Sequence, residues 1–182
     1  MDTFESRSLL ILDLDETLIF ASEKPLERES DFGVGPYHVY RRPHLDEFLT
    51  SCHQHFQIAV WSASGTNYLA AVVETIFPAE ISPVFVWSRE RCVQRYDPER
   101  LESYFAKDLK KVKRLGFSLD RVLIVEDTPQ KVERNYGNAI YVCPFFGDPS
   151  DSELQKLGRY LQSLASVPNV RCIEKRGWRT RL

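Results

Sequence analysis

Three short runs of continuous apolar residues, each ending in polar chemistry, constrain this chain most. They are SLLILD at 8–13, FQIAVW at 56–61 (followed by Ser62), and RVLIVED at 121–127. Successive side chains of a strand point to opposite faces, so a strand without alternation must be buried on both. Such strands belong to parallel sheets covered above and below. The intervening segments read as helices. One spans 43–54, opened by Pro43, with Leu45, Phe48 and Leu49 at helical spacing. Others span 62–77, stopped by Pro78, 107–116, closed by Gly116, and 151–167, with Asp151 as N-cap. A short helix is expected in TPQKVERN, and further strands at 139–142 and 170–173. YHVYR at 37–41 alternates and suggests a hairpin-like excursion, while 79–106 reads as a small β-rich insertion. The fold class is therefore α/β, a mainly parallel Rossmann-like sheet with helices on both faces. At 182 residues the chain is expected to form a single domain over 1–182.

In open parallel sheets, ligands bind outside the carboxyl ends of the strands. Asp13, Asp15, Ser62, Glu126 and Asp127 all fall at such ends. In extended backbone, residues two apart share a face, so Asp13 and Asp15 are expected to project together. Several carboxylates in one crevice repel one another and raise each other's pKa. A hard divalent cation relieves that repulsion, and an all-oxygen donor set suits Mg²⁺. Carboxylates with Mg²⁺, a lysine and a hydroxyl form a site for phosphoryl transfer. A positioned aspartate can itself be the nucleophile.

The pentad D-L-D-E-T after an apolar strand resembles the D-x-D-x-T signature of haloacid dehalogenase (HAD) phosphatases. The wider set VYRRPHLDEFL, VWSAS, FAKDLKKV, RVLIVEDTP and YGNAIYV resembles one branch of them. That branch is the NLI-interacting-factor-like phosphatases acting on the C-terminal domain of RNA polymerase II, with their small-phosphatase and bacterial relatives. The resemblance runs through nearly the whole chain and implies a HAD core. It makes Asp13 the nucleophile that forms an aspartyl-phosphate. It makes Asp15 the acid that protonates the leaving oxygen and then the base that activates water. Thr17, Ser62 and Lys107 meet the substrate phosphate: Thr17 by fixing the loop, Ser62 by gripping a phosphoryl oxygen, Lys107 by neutralising charge and steadying Asp13. Mg²⁺ falls to Asp13, to Asp127 and to the main-chain carbonyl of Asp15. Glu126 becomes a partner of the metal through water, at a position where relatives carry Asp before Asn or Asp. Glu16 receives no role and is expected to point away from the metal.

The implied reaction is Mg²⁺-dependent hydrolysis of phosphomonoesters, with a phosphoserine or phosphothreonine protein as substrate. A phosphatase for a small phosphometabolite is the alternative. A non-catalytic, translocase-like binding protein fits worse, because both acids of the signature are present. The absence of a large cap insertion suits a bulky substrate such as a phosphoprotein. Phe85, Trp87, Tyr96, Tyr104 and Phe105 either line a peptide-binding surface or form a small core of the insertion.

A net charge of −2 shows no global field for nucleic acid, and no apolar run is long enough to span a membrane. A monomer that is soluble inside the cell, in cytoplasm or nucleus, is expected. Cys52, Cys92, Cys143 and Cys172 are widely spaced and read as reduced thiols; their spacing with His53 and His55 is poor for zinc. Arg41 and Arg42 read as surface charge in a segment that the resemblance packs near the site. KDLKKVKR reads as a solvated helix face, and RCIEKRGWRTRL as a frayed basic tail.

Overall fold

The computed structural model describes residues 7–181. Its elements in chain order are β1 (Leu9–Leu12), β2 (Ile19–Ser22), β3 (Phe32–Val34), β4 (Tyr37–Arg41), α1 (Leu45–His55), β5 (Gln57–Trp61), α2 (Thr66–Ile76) and β6 (Val86–Trp87). They continue with β7 (Val93–Asp97), β8 (Glu102–Ala106), α3 (Lys110–Lys113), β9 (Val122–Glu126), β10 (Ala139–Tyr141) and α4 (Glu153–Leu164). The main sheet has the order β10-β9-β1-β5-β6, with every pairing parallel. The strand that carries Asp13 and Asp15 at its end is thus the central one.

The continuous apolar runs are explained by two cores, one on each face. Leu10 and Leu12 of β1, with Ile58, Val60, Leu123 and Val125 of its neighbours, share one cluster with the buried residues of α1, α2 and α4. Leu9 and Ile11, with Ala59, Trp61, Val122 and Ile124, share the other with Leu109, Val112, Val132 and Trp87. The three long helices therefore cover one face. The second face is closed by α3, by the 3₁₀ turn at Pro129–Asn135, and by aromatic side chains.

Two antiparallel sheets decorate the core. The excursion expected at 37–41 is a three-stranded sheet, β2-β4-β3, that also recruits Ile19–Ser22. The insertion at 79–106 divides in two. Val86–Trp87 joins the main sheet as its edge strand beside β5, and only β7 and β8 form a separate hairpin. Phe85 stacks on Trp87 at 4.1 Å and Trp87 meets Trp61 edge-on at 5.0 Å, so these two rings extend the main core. Phe105 lies under the Arg89 guanidinium, and Tyr96 is exposed.

Several local expectations are corrected. The helix expected over 107–116 is a single turn, Lys110–Lys113, because only Val112 of that turn is buried; Gly116, at φ 98°, closes the segment. The helix expected from 62 begins at Thr66, which frees 62–65 to form a loop at the end of β5. In place of the strand expected at 170–173, Val170–Cys172 form a 3₁₀ turn. Asp151 is not the N-cap of α4, which is Ser152; Asp151 instead accepts the Glu153 N–H and pairs with Arg42. The basic tail is docked. Trp178 is buried, stacks on Tyr160 and donates its Nε1–H to the Tyr141 carbonyl at 2.9 Å. Arg179 pairs with the buried Glu153, and Lys175 donates to the Val170 and Ile173 carbonyls. All four cysteines are free thiols.

Candidate active site

Parallel register brings the chemistry together. Leu12 lies level with Val60 of β5 and Val125 of β9, so Asp13, Ser62 and Glu126–Asp127 emerge at one edge of the sheet. The Asp13 N–H continues the ladder to the Val125 carbonyl at 3.1 Å. The chain then turns tightly: the N–H groups of Thr17, Leu18 and Ile19 all point to the Leu14 carbonyl, and Glu16 takes φ 57°. A left-handed non-glycine residue costs about 1 kcal/mol and persists only where the surroundings dictate it. Here Phe145 N–H grips the Glu16 carbonyl at 2.8 Å and Arg42 Nη1 grips that of Thr17 at 3.0 Å.

Asp13 is buried, and its carboxylate pairs with Lys107 Nζ and accepts from Thr17 Oγ1 at 3.4 Å. Lys107, itself buried, also donates to Glu126 Oε2 at 2.6 Å. A second ammonium, Lys131, lies 3.7 Å from Asp13 Oδ2, 3.2 Å from Glu126 Oε1 and 3.4 Å from Asp127 Oδ1. Burial alone would raise the Asp13 carboxyl, but attraction by Lys107 and Lys131 outweighs it and holds Asp13 below the usual carboxylate range. Burial and repulsion by Asp13 push Glu126 the other way, up to about 8, against the pull of the same lysines. Asp13 is therefore the acid this environment keeps ionised.

Asp15 does not project alongside Asp13. Its carboxylate turns toward α2, where it accepts from Ser64 Oγ at 2.6 Å, Tyr68 Oη at 2.8 Å and Ser62 Oγ at 3.3 Å. Leu14 between the two aspartates is fully buried, and the turn that follows breaks strict strand alternation. Asp15 thus opens onto a cleft of about 250 Å³ lined also by Glu16, Ala21, Tyr37, Gly65, Tyr68 and Arg89. Tyr37 and Tyr68 meet edge-on at 5.6 Å there, in place of the aromatics of the insertion. A larger cavity, about 600 Å³, lies between Tyr136, Tyr141 and the C-terminal turn and contains none of the strand-end acids.

Asp13, Glu126 and Asp127 each offer a carboxylate oxygen within 4.8 Å of the others. An all-oxygen set of this kind fits a hard divalent cation such as Mg²⁺. Glu126 thus stands in the same triplet as Asp13 and Asp127, and the longer side chain is accommodated because two lysines meet it.

Glu16 lines the cleft. Burial, then repulsion by Asp15, Asp127 and Asp13, push its carboxyl up to about 7. An unfolded chain releases this proton near pH 4.5, the ordinary value for Glu. Between the two values the folded protein binds the extra proton, so stability falls as pH rises. In a chelating buffer, the melting temperature of the wild type should therefore drop from pH 5 to pH 8 by more than that of Glu16→Gln. Identical pH dependence of the two would contradict this placement of Glu16.

Sequence reasoning missed Arg42, Ser64, Tyr68 and Lys131. Arg42 was read as surface charge but is buried, bound through two nitrogens to Asp151 at 2.9 Å and to the Cys143 carbonyl at 2.9 Å. Its position directly before Pro43, three residues ahead of α1, was the available signal. Ser64 was visible in VWSAS, two residues beyond Ser62 in the same loop.

Comparison with known proteins agrees with this architecture. The model of the family described as NLI interacting factor-like phosphatase matches residues 8–171. The chain is 31% identical over 172 residues to the Caenorhabditis elegans CTD small phosphatase-like protein 1, covering 91% of this chain and 33% of that protein. It is 32% identical over 170 residues to the human carboxy-terminal domain RNA polymerase II polypeptide A small phosphatase 1, covering 88% and 60%. The chain thus spans less than two thirds of either relative. Among solved structures, that of Fcp1, an essential RNA polymerase II CTD phosphatase, superposes with a TM-score of 0.68 at 18% identity, covering 88% of this chain and 63% of that one. That likeness supports the fold.

Proposed function

Since the chain belongs to the NLI interacting factor-like phosphatase family, we propose that it is a Mg²⁺-dependent phosphatase that hydrolyses phosphoserine or phosphothreonine in protein substrates. The observation that carries this reading is the contrast between the two signature acids. Asp13 is buried and kept ionised by lysines, while Asp15 is held by three hydroxyls at the mouth of an open cleft. A buried, ionised carboxylate suits a nucleophile, and a carboxylate that opens onto the cleft can exchange a proton with a leaving group or with water.

In this reading a carboxylate oxygen of Asp13 attacks phosphorus as the bond to the seryl or threonyl oxygen breaks. Asp15 gives its proton to that leaving oxygen. Asp15 then takes a proton from the water that attacks the aspartyl-phosphate, which releases inorganic phosphate and restores Asp13. Lys107 neutralises charge on the phosphoryl oxygens and fixes Asp13; Ser62 donates its hydroxyl to one of them; Thr17 keeps the loop in register. Asp13, Asp127 and the main-chain carbonyl of Asp15 would hold Mg²⁺, with Glu126 beside them, and the ion supplies further neutralisation of the transferred group. The relatives' names make a phosphorylated polymerase C-terminal repeat a reasonable first peptide to assay. Among the described residues no helix is long and apolar enough to cross a membrane; a soluble monomer of cytoplasm or nucleus is part of the proposal.

The test is a comparison of kcat/KM for phosphoserine and phosphothreonine peptides against a panel of small phosphometabolites, with Mg²⁺ and with chelator. Peptides should be preferred by about tenfold or more, and chelator should abolish turnover. Turnover of metabolites with none of peptides would sink the protein-substrate reading while keeping the chemistry.

A further inference from the structure

Lys131 is a positioned group, not a solvated one. Its N–H is donated to the Thr128 carbonyl at 3.0 Å, and its own carbonyl accepts the Lys107 N–H at 2.7 Å. Val132, the next residue, is buried in the second core and breaks helical geometry at φ −127°. The buried Val132 side chain anchors the turn, and the Lys131 side chain reaches over the strand end. Its ammonium lies 3.2–3.7 Å from one oxygen on each of Asp13, Glu126 and Asp127. These are the same three residues whose oxygens could hold an ion.

The two lysines divide the carboxylate oxygens between them. Lys107 takes Asp13 Oδ1 and Glu126 Oε2, deep in the core. Lys131 faces Asp13 Oδ2, Glu126 Oε1 and Asp127 Oδ1. Lys107 approaches only two of the three acids, so Lys131 is the lysine that reaches Asp127. Two ammoniums face these three acids, and removing Lys131 takes away one of the two positive charges in the cluster. A cation bound by these oxygens meets Lys131 as a like charge at close range.

We infer that Lys131 is a built-in competitor of the divalent cation, a positioning residue that holds Glu126 and Asp127 in place and sets how weakly the site binds its metal. This rests on the metal site proposed above. A monovalent ammonium tethered by its own chain offsets the cost of packing Glu126 against Asp13, yet it can yield those oxygens to a divalent ion present in sufficient concentration. Lys131 thus trades metal affinity for a stable acid cluster.

The test is calorimetric titration of the full chain with MgCl₂, without substrate, for wild type, Lys131→Met, Lys131→Gln and Lys131→Arg. Both neutral variants should bind Mg²⁺ about tenfold more tightly or better, because one like charge has left the cluster. Lys131→Arg should stay within about threefold of wild type, since the charge is kept. In chelator, the neutral variants should melt below wild type, and saturating Mg²⁺ should close that gap. The glutamine variant keeps a hydrogen-bond donor and covers the case in which the methionine variant fails to fold. If the wild type binds Mg²⁺ and the neutral variants bind it no more tightly, the inference is wrong and the metal site stands. If no form binds Mg²⁺, the metal site and the inference fall together.

Discussion

Asp13→Asn should lower turnover of an aryl phosphate by about three orders of magnitude or more, because the amide cannot replace the carboxylate as nucleophile. The substitution is nearly isosteric. The amide's carbonyl oxygen can replace Oδ1 and accept from Lys107, while its nitrogen replaces Oδ2 and can donate to Thr17 Oγ1, which donates to the carboxylate in the wild type. The variant should therefore unfold as one cooperative transition, and the loss should appear in kcat. Equal turnover of the two proteins would remove Asp13 from the chemistry. A collapse of the fold in the variant would assign Asp13 a structural role that its near-identical replacement should not disturb.

The second large effect is on stability and concerns Arg42. Its guanidinium is about 1% exposed and makes four hydrogen bonds: two to Asp151 and one each to the carbonyls of Thr17 and Cys143. Its Cζ also lies 5.3 Å from the centroid of the Phe145 ring. One side chain thus ties the loop after β1 to the segment after β10 and to the start of α4. Removing one partner of a buried ion pair costs roughly 3–5 kcal/mol, because the other is left uncompensated. Arg42→Met should lose about that much in urea unfolding. Arg42→Lys should recover only part of it, since an ammonium cannot reproduce the two-pronged contact. A loss under about 1 kcal/mol in Arg42→Met would show that these contacts do not hold the loop.

The central architecture was legible because it depends on sequence-local signals. A strand buried on both faces must be apolar throughout, and β1, β5 and β9 are. Parallel pairing then sends their polar ends to one edge, which is how Asp13, Ser62, Glu126 and Asp127 meet. The misreadings occurred where tertiary contacts outweigh local pattern. The lysine-rich segment after Lys107 has good helix formers, but one buried valine supports only one turn. The basic tail has the composition of a frayed end, yet Trp178 finds Tyr160 and the Tyr141 carbonyl of β10. Asp15 follows a strand, but the tight turn at Leu14–Ile19 rotates it toward hydroxyls on the next loop and helix. Lys131 was hidden for a related reason. In TPQKVERN it resembles any solvated lysine, and the tertiary position of the Pro129–Asn135 turn beside the strand end sets it over the acids.

The central claim of this mechanism is that an Asp13 oxygen attacks phosphorus. The most direct measurement is the structure of the protein with Mg²⁺ and fluoroberyllate, which mimics a phosphoryl group on a carboxylate. Beryllium is expected on a carboxylate oxygen of Asp13, with Lys107 and Ser62 on its fluorines and Mg²⁺ against Asp127. Beryllium on Asp15, Glu126 or any other residue would contradict it.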